Sequence, residues 1–217
     1  MPHDIDRASL RRPAELLAIE LECVRGDRML FSSLSFDLQE GQILLIEGAN
    51  GAGKTSLLRI LAGLSRPTDG DVCWRGHGIA HRRVEYCSDM IYLGHAAGLK
   101  AELSPLENLR LWLTLAGLEA DPLAVRQALG DVGLRGYEEA PTRILSAGQR
   151  QRTALARLLL SPASLWILDE PFTALDADGL VLVRTLLETH AARGGMVSLT
   201  SHQPIDVSGN LRKLMLG

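Results

Sequence analysis

The run Gly48-Ala49-Asn50-Gly51-Ala52-Gly53-Lys54-Thr55 constrains this chain more than any other segment. A glycine-rich loop lets successive backbone N–H groups turn inward around an anion, where side chains would block the approach. Lys54 adds a positive charge for β- and γ-phosphates, and the Thr55 hydroxyl can bind Mg²⁺, so a nucleoside triphosphate is the expected ligand. Such a loop needs a strand before it and a helix after it. Residues 43–46 form a short continuous apolar run, as expected of a strand buried on both faces. Residues 56–62 continue at helical spacing, and that helix would present the positive end of its dipole to the phosphates.

A second apolar run, residues 165–168, ends in Asp169-Glu170. It places two carboxylates at the carboxyl edge of the sheet, where open α/β sheets bind ligands. Asp169 suits Mg²⁺ held through its water shell. Glu170, beside the γ-phosphate, suits a general base that polarises an attacking water. His202 follows a third run at residues 197–200. Taken singly it reads as a strand-end histidine with a structural hydrogen bond.

The rest of the chain fits around these strands. Residues 17–24 and 34–38 alternate apolar with polar and predict an antiparallel pair near the N-terminus. Asp69-Gly70 reads as a turn, with residues 72–74 as another sheet edge. Residues 90–93 predict a strand leading into a loop. Pro105 and Pro122 each open a predicted helix, the first through residue 116 and the second ending near 130–133. A third helix, 146–160, stops at Ser161-Pro162, and a fourth spans about 178–193. The expected fold is α/β: a parallel-sheet core, a small antiparallel β lobe and an inserted helical subdomain at roughly 96–160. Residues 1–15 are polar, contain Pro13 and read as a flexible tail before a single domain at 16–217.

Bulk properties exclude several classes. A net charge of −3 argues against a nucleic-acid binder. The N-terminus lacks the apolar core of a signal peptide, and no apolar run approaches the ~20 residues that span a bilayer. Cys23, Cys73 and Cys87 lack metal-ligand spacing and read as reduced thiols of a cytoplasmic protein. No haem-attachment motif is present. His77 and His81 lie in a polar, arginine-rich stretch that reads as a solvated loop rather than a haem site.

In order, the glycine loop, Leu145-Ser146-Ala147-Gly148-Gln149, the run ending in Asp169-Glu170, Thr173-Ala174-Leu175-Asp176 and the strand-end His202 resemble the nucleotide-binding domain of ATP-binding cassette proteins. The resemblance covers the chain from residue 16 onward and implies a P-loop NTPase (RecA-like) fold with ATP and Mg²⁺ as cofactors. It also implies head-to-tail dimers, in which Ser146, Gly148 and Gln149 of one copy close over the γ-phosphate held by the other. Asp176 would belong to the loop linking the two sites, and His202 would be the switch residue contacting γ-phosphate.

Two departures from that family stand out. Its usual glutamine after the 90–93 strand is replaced by Gly94-His95, so His95 stands either where a side chain meets Mg²⁺ and water or as a plain loop histidine. The usual adenine-stacking aromatic is absent, leaving Arg25 or Arg28 to stack its guanidinium plane on the base. Tyr92-Leu93-Gly94-His95, Gly98-Leu99-Lys100 and the stretch from Leu103 to Leu109 are similar to the ATP-binding subunit of the bacterial cytochrome c maturation haem exporter. That similarity implies integral membrane partners of a haem-export complex and a peripheral place on the cytoplasmic face of the inner membrane. Alternatives are an exporter ATPase for a lipid, drug or metal chelate, or a soluble cassette ATPase acting on DNA or ribosomes. Long coiled coils and duplicated motifs, marks of the soluble classes, are absent here.

Overall fold

The structure, a computed structural model, describes residues 15–217. The tail expected over residues 1–15 thus lies outside the described residues except for Glu15. That residue is tied down: its N–H donates to Leu38 O, its carbonyl accepts from Arg75 N, and its carboxylate meets Arg75 Nε at 2.6 Å.

The core is a five-stranded parallel sheet, made of β3 (Gln42–Gly48), β6 (Met90–Leu93), β7 (Leu165–Leu168), β8 (Met196–Thr200) and β9 (Asn210–Leu216). Its order is β6-β7-β8-β3-β9. The continuous apolar runs are explained by burial on both faces. Ile43 and Leu45 pack into one core cluster and Leu44 and Ile46 into the other, and Trp166/Leu168 against Leu165/Ile167 divide in the same way. The first cluster is covered by α3 (Pro105–Leu115), α4 (Pro122–Asp131), α5 (Ala147–Leu160) and α6 (Ala177–Ala192). The second is covered by α1 (Lys54–Leu61) and a four-stranded antiparallel sheet.

That antiparallel sheet runs β2-β1-β4-β5, from β1 (Leu16–Arg25), β2 (Arg28–Leu38), β4 (Asp69–Trp74) and β5 (His77–Gly78). The expected fold class is therefore correct, with local corrections. Asp69-Gly70 is not a turn: it opens β4 opposite a bulge at Glu20, whose φ is +46°. Gly70 is required there, because a Cβ would lie 2.4 Å from the Glu20 and Ile19 carbonyl oxygens. His77 belongs to β5 rather than to a loop, and α2 (Arg83–Asp89) follows where no helix was expected. The C-terminal strand β9 was also unforeseen. Among the described residues no helix is long and apolar enough to cross a membrane.

Candidate active site

The glycine loop leaves β3 and enters α1 through a chain of left-handed residues. Gly51 (φ +79°) and Gly53 (φ +102°) adopt backbone that L side chains rarely take, and Gly53 is the N-cap of α1. At Gly48 a Cβ would stand 2.5 Å from Leu216 O, so the unforeseen strand β9 sets the identity of the loop's first residue. Ala52 N donates to Ala49 O at 3.1 Å and closes the turn. Lys54 is 9% exposed and donates to Gly48 O at 2.8 Å and Ala49 O at 3.2 Å. An ammonium has three donors, so this lysine can brace the loop and still reach an anion.

β7 ends against its neighbours in a tight network. Asp169 N donates to Leu93 O at 2.8 Å, holding the end of β7 to β6. Thr200, the fully buried last residue of β8, joins both acids: its hydroxyl donates to Asp169 Oδ1 at 2.8 Å and accepts from Glu170 N at 3.0 Å. Glu170 has φ +56°, a conformation costing of order 1–3 kcal/mol in a non-glycine residue and held by this surrounding network. Its Oε2 accepts from His202 N at 3.1 Å, and His202 Nε2 lies 3.5 Å from Oε1. Asp169 is 3% exposed, and its Oδ2 has no hydrogen-bond partner among the described residues. A buried carboxylate oxygen left in this way fits a cation ligand. No group of three or more His, Cys, Asp or Glu among the described residues could hold a metal alone. The single free Asp169 oxygen suits Mg²⁺, which is held by one or two carboxylates with substrate phosphates and water.

A cleft of about 770 Å³ brings these parts together, lined by Arg25, Asn50, Gly51, Gly53, Lys54, Thr55, His95, Asp169, Glu170 and His202. Leu30, Ser56 and Thr173, none of them assigned to the nucleotide from sequence, complete it. Of the two arginines left open, Arg25 lines the cleft; Arg28 stands beside Gly51, whose Cβ would lie 3.5 Å from Arg28 Nη1. Tyr92, in an adjoining cavity with Asp169, has its phenol held above the usual range by burial and then by the Asp169 charge.

Ser146, Gly148, Gln149 and Asp176 are not in that cleft. They line a separate hollow of about 940 Å³ with Ala147, Arg152 and Ala174. Ser146 and Gln149 are engaged with each other in a capping box: Ser146 Oγ accepts from Gln149 N at 3.1 Å, and Gln149 Oε1 accepts from Ser146 N at 2.9 Å. The box leaves the N-terminus of α5 facing the hollow, a geometry suited to an anion. Gly148 packs closely on the chain after Glu170, since a Cβ would lie 2.8 Å from Ala174 O. Asp176 caps α6 through Gly179 N at 2.9 Å and pairs with Arg152 of α5 at 2.6 Å. The Gly179 bond first and the Arg152 bond second hold its carboxyl below the usual range.

The family model described as ABC transporter matches residues 31–173. The chain is 63% identical over 203 residues to the cytochrome c biogenesis ATP-binding export protein CcmA of Methylococcus capsulatus, covering 94% of this chain and 98% of that protein. It is 52% identical over 202 residues to the protein of the same name from Yersinia pseudotuberculosis, covering 93% and 92%. Among solved structures, a dimeric bacterial ABC transporter cassette superposes with a TM-score of 0.80 at 23% identity, over 92% of this chain and 94% of the other. With a family model over residues 31–173 and a likeness in sequence over 94% of its length, this chain belongs to the ABC transporter family.

Proposed function

We propose that this chain is the ATP-hydrolysing subunit of a membrane complex of cytochrome c biogenesis that exports haem. Near-full-length similarity to cytochrome c biogenesis ATP-binding export proteins carries the pathway. The convergence of Lys54, Asp169, Glu170 and His202 on one cleft supports the chemistry. Loop N–H groups and Lys54 hold the β- and γ-phosphates, and Arg25 stacks on the adenine. Mg²⁺, held by Thr55 and Asp169 and reached by His95 through water, would neutralise charge on the same phosphates. Glu170 accepts a proton from the attacking water as its oxygen bonds to the γ-phosphorus and the bond to the β-phosphate oxygen breaks. ADP and inorganic phosphate are the products. His202 orients the Glu170 carboxylate and meets the γ-phosphate.

Two copies are needed on this reading. The Ser146 hollow and the phosphate-loop cleft are separate on one chain, so a second copy would bring its α5 N-terminus to the first copy's nucleotide, with Asp176 linking the sites. Integral membrane subunits would hold the pair on the cytoplasmic face of the bacterial inner membrane. The segment from 95 to 118 is the proposed contact: Leu111 and Leu115, one turn apart on α3, are exposed. Haem passes through the membrane subunits and does not bind this chain, which acts on no nucleic acid.

The decisive experiment is genetic. Deleting the chain from a cell that makes c-type cytochromes should abolish their covalent haem while leaving b-type cytochromes intact. Glu170→Gln should reproduce that loss with the membrane complex still assembled and turnover reduced ~10²-fold or more. Normal c-type cytochromes in a deletion strain without a duplicate gene would overturn the pathway. Wild-type turnover in Glu170→Gln would overturn the chemistry.

A further inference from the structure

Arg157 lies on α5 about three turns beyond the Ser146 cap. It is only 9% exposed, and no acidic side chain pairs with it among the described residues. Its guanidinium grips two neutral carbonyls instead: Nη1 donates to Ala97 O at 3.1 Å and Nη2 to Gly98 O at 2.9 Å. Nε is buried without a partner among the described residues. Burying a cation against neutral acceptors is costly, and an apolar side chain of similar volume would serve packing better. The charge is explained by what it holds.

What it holds is the loop that carries His95. Arg157, Ala97, Gly98 and His95 line one cavity of about 420 Å³ together with Thr55 and Asp169. Gly98 takes a left-handed conformation (φ +61°), and a Cβ there would lie 3.6 Å from Arg157 Nη1, so the loop turns in close contact with the fork. His95 at the other end of the same loop lines the nucleotide cleft. α5 therefore ends one grip on this loop and begins at the capping box facing the second hollow.

We infer that Arg157 is a positioning residue that pins residues 97 and 98 to α5, so the His95 loop and the Ser146 cap move as one unit. A second copy docking on the Ser146 end of α5 is then felt at His95 through a single rigid helix. This rests on the role proposed for His95, and the experiment separates the two ideas.

Hydrogen exchange on the full chain reads the pin directly. Arg157→Met should raise exchange on the order of tenfold in the 94–99 segment while the β3 and β7 amides stay protected. Its melting temperature should hold or rise, because a buried unpaired charge is removed and the half-buried Ala97 and exposed Gly98 carbonyls can turn to water. ATP turnover should fall about tenfold in kcat with KM for ATP within about twofold, since a displaced loop leaves the glycine loop untouched. Arg157→Lys, which keeps the charge but lacks the fork, should fall between the Met variant and wild type in both exchange and kcat. Combined with His95→Ala, Arg157→Met should add little further loss, as two members of one unit are non-additive. Unchanged exchange at 94–99 in both Arg157 variants overturns the pin, as does a fully multiplicative loss in the double variant. Wild-type turnover in His95→Ala, with faster loop exchange in Arg157→Met, overturns the role of His95 and leaves the pin standing.

Discussion

At the scale of single residues, the site depends on a side chain that carries no motif. Thr200 satisfies the Glu170 N–H and one Asp169 oxygen with a single hydroxyl in a fully buried position. Thr200→Val keeps the shape and strands both groups, each costing about 1–3 kcal/mol when left unpaired. We expect a lower melting temperature and a loss of turnover, checked by thermal unfolding and an ATPase assay. Lys54→Ala should act earlier, weakening triphosphate binding itself rather than only the chemical step, which a nucleotide titration reads. The residues named from sequence were those whose chemistry is unusual for their place: glycines in a run, acids after an apolar strand. Thr200 gives no such signal in sequence, because a threonine ending a largely apolar run looks like ordinary strand. Arg157 was passed over because an arginine on an amphipathic helix looks like solvent-facing charge.

At the scale of elements, α5 and α6 carry the polar wiring. Arg152 ties α5 to the cap of α6, and His190 in the last turn of α6 packs flat on Trp166 of β7, with ring centroids 3.8 Å apart. The His190 Nε2 lies 3.2 Å from Ser164 O, and burial chiefly holds the imidazole below its usual range, so it is neutral in the fold. The unfolded chain takes up this proton below about pH 6.5 and the folded chain resists it, so stability falls as pH drops through that value. Urea unfolding at pH 7.5 and 5.5 should show that loss in wild type and a smaller loss in His190→Gln, which keeps the carbonyl bond without titrating. Elements with one clear signal are legible: the buried strands β3, β7 and β8 as continuous apolar runs, and the capped helices opened by Pro105, Pro122 and Ser146. Misjudged segments had competing local signals. Asp69-Gly70 has turn chemistry that the structure uses for a bulge, and β9 reads as Asn-Leu-Arg-Lys-Leu-Met-Leu, whose Arg212 and Lys213 pair with Asp37 and Glu47 outside the core.

At the scale of the whole molecule, the separation of the two hollows is the reason for proposing a pair. In the dimer proposed above, the cleft with Lys54 and Glu170 and the α5 N-terminus with Ser146, separate on one chain, complete each other across two copies. Electrostatics offers a test that spares the fold. Ala147 is exposed at the first position of α5, where a negative charge favours the helix dipole by about 0.3–1 kcal/mol. Ala147→Glu should therefore leave the chain as stable as before or slightly more so. Opposite a partner's γ-phosphate the same carboxylate meets like charge in a closing interface, where juxtaposition costs several kcal/mol. In a Glu170→Gln background, which holds ATP unhydrolysed, the chain should elute at dimer mass with ATP and Mg²⁺. Adding Ala147→Glu should return it to monomer mass, with thermal unfolding unchanged and ATP still bound by each monomer. A dimer that persists in the double variant would place the Ser146 end of α5 away from the nucleotide and remove the reason for a head-to-tail pair.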